Sequence, residues 1–210
     1  MILHGFFRSA ASYRVRIALN LKGIVVEHRF YKLREGEHKS PEFLAINPQG
    51  LVPALETADG RVLTQSLAII EWLDVTHPTP ALLPPDPWIR ARVRAFAQAL
   101  ACDTHPLQNL GVLQRLEAAG LGAQAAQRWA HDVNEAGLAA LERMIATEPG
   151  PFAFGSRPTL ADICLVPQLA NARRFKVNVS GMPRLLAAEV AAQALAAFRD
   201  AAPDKQPDAH

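Results

Sequence analysis

FRSAASYRVRIA, residues 7–18, joins a short apolar strand to an amphipathic helix through an arginine and a serine. The N-terminus of a helix presents unpaired backbone N–H groups and a partial positive charge. A hydroxyl beside it, such as that of Ser9, can help to hold an anion, including a thiolate. The junction therefore suggests thiol chemistry although it contains no Cys, while a Ser before a helix also serves simply as an N-cap.

The first eighty residues alternate between strand and helix signals. Strand-like runs lie at residues 2–7, 24–31, 51–56 and 61–63, and helical runs at residues 14–21 and 66–75. Gly23 ends the first helix, and Asp59-Gly60 forms a tight turn between the last two strands. The order β-α-β-(α)-β-β-α predicts a thioredoxin-like α/β domain over residues 1–80. Pro53 fits its strand if it begins the strand, lies at an edge or forms a cis turn.

A proline-rich connector follows this domain, with HPTP at residues 77–80 and PPDP at residues 84–87. The remainder is rich in Ala and Leu and predicts an all-α domain over residues 88–210. We expect its helices at residues 87–102, 123–145, 160–174 and 183–201. Thr159 and Asp162 have the spacing of a capping box, so Asp162 is predicted to start a helix. The polar tail, residues 203–210, is predicted to be loose.

Composition excludes several classes of function. The chain has 22 Lys and Arg against 20 Asp and Glu, and it has no block of basic residues. This charge pattern does not indicate binding to nucleic acid. No apolar run approaches a membrane span and the first residues lack a secretory signal, so we expect no membrane partner and a cytoplasmic location. Cys102 and Cys164 each lie in an apolar run and are predicted to be buried thiols.

A thioredoxin-like half joined by a proline-rich linker to an all-helical half resembles the soluble glutathione transferases, and the motifs are similar to those of the zeta class. The motifs are RS and SYRVRIAL (8–9, 12–19), NPQ and LVP (47–49, 51–53), QSLAIIE (65–71), PLQN (106–109), ANARRFKV (170–177) and QPD (206–208). That class contains the maleylacetoacetate and maleylpyruvate isomerases. The resemblance implies a homodimer, bound glutathione, and cis-to-trans isomerisation of a short dicarboxylate in aromatic catabolism.

The implied chemistry accounts for the residue types. A thiolate adds to an activated cis double bond, the resulting single bond rotates, and loss of the thiolate leaves the trans isomer. The site then needs a stabilised thiolate, cations for two carboxylates, and dipoles for the developing enolate. Because glutathione supplies the sulfur, the protein needs no catalytic Cys.

The resemblance assigns the thiol-binding hydroxyl to Ser9. Ala10 and Ala11 stand where the family often has a second Ser and its Cys, so Ser12 remains an alternative. Arg8, beside the thiol site, is expected to bind a substrate carboxylate or to polarise the enedione oxygen.

Further residues are assigned to glutathione by the same resemblance. The Val52 backbone before Pro53 is expected to pair with the cysteinyl part of glutathione as an added strand would. Gln65 and Ser66 begin a helix suited to the γ-glutamyl carboxylate, and Ser66 can also act as an N-cap. His38, in a polar loop, is a further candidate contact.

In the helical half, His105 is expected to contact glutathione or the substrate, and Asn109, a turn further along the same predicted helix, to orient either. Arg174 is the candidate for a substrate carboxylate because its planar fork can bind both oxygens. Its neighbour Arg173 is read as a solvated charge. Similar maleylpyruvate isomerases have an extra Arg where this chain has Leu110, which favours maleylacetoacetate.

Two other readings stay open. The same thiolate could conjugate or dehalogenate small α-haloacids. A non-catalytic glutathione-binding module is the third reading, because a fold does not determine a function. Ala10 and Ala11 favour that reading, whereas the retention of Arg8, Ser9, Gln65, Ser66 and Arg174 argues against it.

Overall fold

A computed structural model describes residues 1–209 of the chain. The chain forms two compact units, and the first is discontinuous: residues 1–81 are completed by residues from Leu195 onward, and Leu82–Ala194 form the second. The sequence predicts one helical domain over residues 88–210, whereas the structure groups the C-terminal segment with the first unit.

The first unit is built on a four-stranded sheet of order β2-β1-β3-β4. Strand β1 pairs parallel with β2 and antiparallel with β3, and β3 pairs antiparallel with β4. The elements are β1 Ile2–Gly5, α1 Ala10–Lys22, β2 Glu27–Phe30, α2 Pro41–Ile46, β3 Ala54–Glu56, β4 Val62–Thr64 and α3 Ser66–Thr76. This topology confirms the predicted thioredoxin-like domain.

Local sequence explains where these elements begin and end. Gly23 ends α1 in the left-handed conformation (φ 66°), which glycine adopts at little cost. The peptide bond between Val52 and Pro53 is cis, and β3 starts directly after Pro53. Helices α1 and α3 pack against each other, and each has fully buried side chains, such as Ile17 in α1 and Ile70 in α3.

The C-terminal segment is ordered against helix α1. It contains α9, Ala196–Arg199, followed by two short 3₁₀ turns. The Phe198 carbonyl accepts from the Tyr13 hydroxyl (3.3 Å), and the Ala201 carbonyl accepts from Arg16 Nε (2.9 Å). Buried Gln206 donates to two carbonyls of its own segment. The prediction of a loose tail is therefore wrong, because these polar groups tie the tail down without any apolar run.

The second unit is helical throughout. Its helices are α4 Pro87–Gln98, α5 Leu110–Leu116, α6 Gly122–Met144, α7 Leu160–Arg174 and α8 Pro183–Gln193. The predicted first helix changes to π-helical turns over Ala99–Thr104 and then to a 3₁₀ turn, His105–Gln108. Helix α5 was not predicted. Among residues 1–209, no helix combines the length and apolar character needed to cross a bilayer.

Two side-chain predictions in this unit have different outcomes. Asp162 and Thr159 form the predicted capping box at the start of α7. Cys164 is buried as expected, but Cys102 is exposed, because it lies two residues from each of the buried Leu100 and Thr104 and so faces away from them.

Candidate active site

Ser9 is the N-cap of helix α1. Its backbone is extended (φ −67°, ψ 115°), and its Oγ accepts a hydrogen bond from the Ser12 N–H at 3.1 Å. Because this bond uses a lone pair, the hydroxyl hydrogen remains available to donate to an anion. The N–H groups of Ala10 and Ala11 precede the first i→i−4 bond of the helix, which Tyr13 makes to Ser9 at 2.8 Å. The N-cap and anion-binding roles are therefore compatible in one residue.

The geometry of Ser12 differs from that of Ser9. Ser12 is fully buried, and its Oγ would lie 3.3 Å from a Cβ placed on Gly5, so the hydroxyl faces strand β1. No group within residues 1–209 hydrogen-bonds to this oxygen. A thiol at the start of α1 is therefore better served by Ser9 than by Ser12.

The turn before Ser9 carries the candidate cation Arg8. Arg8 is exposed, and its guanidinium lies 5.0 Å from the Phe7 ring centroid and 5.9 Å from that of Phe6. Below this turn Arg16 is buried, and burial lowers the pKa of its guanidinium to about 10. Arg16 Nη2 donates to the Phe7 carbonyl at 3.0 Å. The exposed Arg8 can thus meet a ligand while the buried Arg16 supports the turn.

The start of helix α3 is tied to helix α1 by a residue that sequence reasoning did not assign to the site. Arg14 is buried and donates from Nη1 to Ser66 Oγ at 3.3 Å. Its position in step with the apolar residues of α1 was the available signal. Gln65, rather than Ser66, occupies the N-cap position, with an unusual φ of 68° and its side chain bonded to Gln49 at 2.9 Å. Strained backbone of this kind is concentrated at functional sites.

The loop carrying His38 contacts the loop before β3. Gly50 has φ 58°, and a Cβ there would lie 2.9 Å from the His38 carbonyl, so this approach requires glycine. Lys39 Nζ donates to the Gln49 carbonyl at 3.3 Å, and the Asn47 side chain accepts from the Gln49 N–H. Burial, with the charge of Lys39, lowers the pKa of His38, and its Nδ1 accepts no hydrogen bond from residues 1–209. These contacts bring His38, Gln49 and Gln65 together within the first unit.

The second unit holds the remaining candidates. His105 begins the 3₁₀ turn and is half-buried, and its carbonyl accepts from Gln108 Nε2 at 3.3 Å. Asn109 does not lie a turn along the same helix. It is the N-cap of α5, and its Oδ1 accepts from the Val112 N–H at 3.0 Å, which leaves its amide N–H groups and the second lone pair of Oδ1 to orient a ligand.

Adjacent arginines at the end of α7 have different surroundings. Arg174 is exposed, and its guanidinium lies 4.6 Å from the centroid of the Phe175 ring. Arg173 instead forms a two-pronged ion pair with Glu189 of α8, which raises its pKa. Arg173 is exposed, as expected of a surface charge, and the ion pair occupies its fork.

No group of His, Cys, Asp and Glu within residues 1–209 is arranged to hold a metal ion. The described candidates instead offer helix N-termini with their backbone N–H groups, hydroxyl groups and guanidinium groups. Each of these favours an anionic ligand.

Comparison with known proteins gives consistent matches. The family description "Glutathione S-transferase, N-terminal domain" matches residues 8–76, and "Glutathione S-transferase, C-terminal domain" matches residues 123–203. The chain is 48% identical to a maleylacetoacetate isomerase of Rhizobium meliloti (strain 1021), over 97% of this chain and 96% of that protein.

Two solved structures are similar over nearly the whole chain. One is a holo structure of a maleylpyruvate isomerase described as a bacterial zeta-class glutathione S-transferase, with a TM-score of 0.97, 46% identity and full coverage of both chains. The other is a maleylacetoacetate isomerase of Anaeromyxobacter dehalogenans 2CP-1 with dicarboxyethyl glutathione and citrate bound in the active site. Its TM-score is 0.89 and its identity 45%, over 99% of this chain and 96% of that one.

Proposed function

Because the chain belongs to the zeta class of the glutathione S-transferase family, we propose that it is a glutathione-dependent cis–trans isomerase of maleylacetoacetate or maleylpyruvate. The observation that carries the proposal is the N-cap of α1. There the Ser9 oxygen already accepts from Ser12, which leaves the hydroxyl hydrogen for a thiolate. An enzyme that borrows its sulfur from glutathione needs this arrangement and needs no Cys of its own.

The first unit offers groups that fit glutathione. The amides of Ala10 and Ala11 and the Ser9 hydroxyl suit the sulfur, and the Val52 backbone, just before the start of β3, suits the peptide part. Ser66, at the positive end of α3, suits the γ-glutamyl carboxylate. When bound, glutathione supplies a thiol nucleophile that can add reversibly to an activated double bond.

His38 and Gln65 complete the proposed glutathione contacts. The side chain of Gln65 is exposed and is able to hydrogen-bond a polar peptide ligand. The His38 ring is partly exposed, and we propose that it meets the ligand through an atom other than the buried Nδ1. Within the second unit, His105 and the amide N–H groups of Asn109 are proposed to help orient glutathione or the substrate.

Substrate carboxylates are proposed to bind to arginines. Arg8 adjoins Ser9 and can bind a carboxylate or donate to the oxygen that becomes an enolate, and Arg174 is proposed to bind a carboxylate through its fork. The A. dehalogenans relative binds a dicarboxyethyl thioether of glutathione. Such a molecule joins the thiol sulfur to a short dicarboxylate, which is the pairing that the proposed reaction requires.

Overall identity does not separate the two acids, since relatives of both kinds are 46–48% identical to this chain. We propose maleylacetoacetate as the better substrate because Leu110 stands where similar maleylpyruvate isomerases have an Arg. Leu110 begins helix α5. An apolar side chain there offers no fork for the carboxylate beside the ketone of a pyruvate.

The test follows the loss of the cis enedione absorbance of maleylacetone and of maleylpyruvate, with and without glutathione. We expect rapid loss only with glutathione, the trans isomer as product, and no consumption of thiol. Conversion without glutathione would refute the proposal. Glutathione consumption with a stable adduct or released halide from an α-haloacid would establish conjugation instead, and tight glutathione binding without any turnover would indicate a binding module.

Arg174→Ala tests the substrate side of the site. It should raise the KM for the acid by about 10-fold or more, from the loss of a charged hydrogen-bond pair, and leave glutathione affinity unchanged. Arg173→Ala on the same helix is the matched control, because its fork is already paired with Glu189. Equal losses of substrate and glutathione affinity in Arg174→Ala would exclude a role specific to the substrate.

The family resemblance also supports a homodimer in the cytoplasm, where glutathione is kept reduced. Light scattering of the purified protein should give the mass of two chains, and a mass of one chain would exclude the dimer.

A further inference from the structure

The motif Gln206-Pro207-Asp208 has no part in the function proposed so far. It ends beside the turn that leads into Ser9, where Asp208 Oδ2 accepts a hydrogen bond from the Phe7 N–H at 2.9 Å. The other carboxylate oxygen, Oδ1, is buried and accepts no hydrogen bond from residues 1–209. A carboxylate 201 residues away in sequence therefore holds the peptide two residues before the proposed thiol-binding hydroxyl.

Arg16 holds the same turn from within helix α1. It is 4% exposed and donates to the carbonyls of Phe7 (3.0 Å), Phe6 (3.5 Å) and Ala201 (2.9 Å). The negative charge of Asp208 opposes the effect of burial on the pKa of Arg16, so the two side chains are electrostatically coupled. The Phe7 residue is thus fixed on both sides, its N–H by Asp208 and its carbonyl by Arg16.

The tail that presents Asp208 is itself fixed. Gln206 is 7% exposed, and its Nε2 donates to the carbonyls of Asp200 (3.0 Å) and Ala202 (2.9 Å). These bonds fold the tail back on its own backbone. Asp208 therefore occupies a defined position, and buried polar groups with defined partners favour a single arrangement.

The turn transmits this constraint to the hydroxyl. The Ser9 N–H donates to the Phe6 carbonyl at 3.0 Å, so residues 6–9 form one hydrogen-bonded turn. A shift of Phe7 would consequently move Ser9 and the first amides of α1. Catalytic groups must be held within about 0.5 Å of their productive geometry, and a misplacement of about 1 Å can cost roughly 100-fold in rate.

We propose that Asp208, acting with Arg16 on the Phe7 peptide, is a positioning residue that directs the Ser9 hydroxyl towards the glutathione sulfur. This inference rests on the proposed function, because it assumes that Ser9 binds the thiolate. Asp208 itself touches neither glutathione nor the substrate in this proposal.

The experiment compares two isosteres of Asp208. Asp208→Leu keeps the shape and removes the acceptor, whereas Asp208→Asn keeps an oxygen that can accept from the Phe7 N–H. Asp204→Ala, an exposed acid in the same tail, is the control. The readouts are the pKa of the thiol in the glutathione complex, taken from the ultraviolet absorbance of the thiolate against pH, and the hydrogen-exchange rate of the Phe7 amide.

In Asp208→Leu we expect faster Phe7 exchange and a thiol pKa higher by about one unit, since a misaligned hydrogen bond to a charged group loses much of its strength. Asp208→Asn should restore most of both properties, and Asp204→Ala should match the wild type. If the Leu variant does not fold, Asp208→Ala takes its place. A folded variant with faster Phe7 exchange and an unchanged thiol pKa would overturn the inference.

These readouts require glutathione binding but no turnover. A protein that binds glutathione with a lowered thiol pKa and isomerises neither acid would contradict the proposed function without touching the positioning test. Conversely, normal isomerisation in Asp208→Leu, with an unchanged thiol pKa, would remove the positioning role and leave the proposed function intact.

Discussion

Replacing Ser9 with Ala separates the two roles that the structure gives to one hydroxyl. The Oγ accepts from the Ser12 N–H, so its loss removes an N-cap worth about 1 kcal/mol of unfolding free energy. In the glutathione complex the same change removes a hydrogen bond to a thiolate, worth about 1.5–3 kcal/mol. At about 1.4 kcal/mol per pKa unit, the thiol pKa should rise by about 1–2 units.

The expected loss of activity is smaller than that rise alone implies. A more basic thiolate is intrinsically more nucleophilic, with a Brønsted coefficient of about 0.4–0.5. On a logarithmic scale, this gain offsets nearly half of the rate lost through the smaller fraction of thiolate. Below the pKa of the bound thiol, turnover should therefore fall roughly 4- to 13-fold. The assays are the thiolate absorbance against pH, the initial isomerisation rate and urea unfolding.

Ser40→Ala is the matched control. Ser40 is the N-cap of α2 and accepts from the Phe43 N–H at 3.3 Å, so its loss should cost a similar unfolding free energy. It should leave the thiol pKa unchanged, and Ser9→Thr should restore both properties of the Ser9 site. If Ser9→Ala loses stability but keeps the wild-type thiol pKa, the reasoning is wrong, and the amides of Ala10 and Ala11 must hold the sulfur.

Other parts of the chain allow equally direct tests. Asp162→Asn should lower the free energy of unfolding, measured in urea, by about 1–3 kcal/mol. The new Asn NH₂ group would face a buried N–H donor in the capping box. A loss below about 0.5 kcal/mol would contradict this expectation. Gly137→Ala should cost about 1–3 kcal/mol, since its Cβ would lie 2.5 Å from Thr104 Oγ1, and Thr104→Ala should relieve that cost in the double variant. Burial holds the pKa of His4 below its usual 6.5, so the unfolded chain takes up this proton at a higher pH than the folded chain does. Stability should therefore fall as pH drops below about 6.5, and His4→Gln should flatten that dependence; an equally steep dependence in the variant would exclude His4 as a source.

The sheet and the main helices could be predicted because their signals are local. Gly23 ends a helix, Asp59-Gly60 turns a hairpin, and Thr159 with Asp162 caps a helix, each through backbone geometry that those residue types favour. The catalytic candidate Ser9 could be predicted for the same reason, because it lies at a helix start that local sequence indicates.

The features that sequence reasoning missed depend on distant contacts. Arg14 and Arg16 resemble ordinary helix charges until α3 and the tail supply their acceptors. The tail has no apolar periodicity, and its order comes from Gln206 and Asp208 bonding to backbone groups. The apolar run around Cys102 likewise does not show which face of the helix packs, and the structure buries Leu100 and Thr104 instead.

The discontinuity of the first unit has a consequence for the order in which the protein is made. The 113 residues of Leu82–Ala194 leave the ribosome between the two parts of that unit. At about 5–20 residues per second, this interval lasts about 6 to 23 s. During it the nascent N-terminal part has no Phe198 side chain and no Ala201 carbonyl to cover α1. Its core is therefore closed after the helical unit has been synthesised, and the first part of the chain to emerge is among the last to be completed.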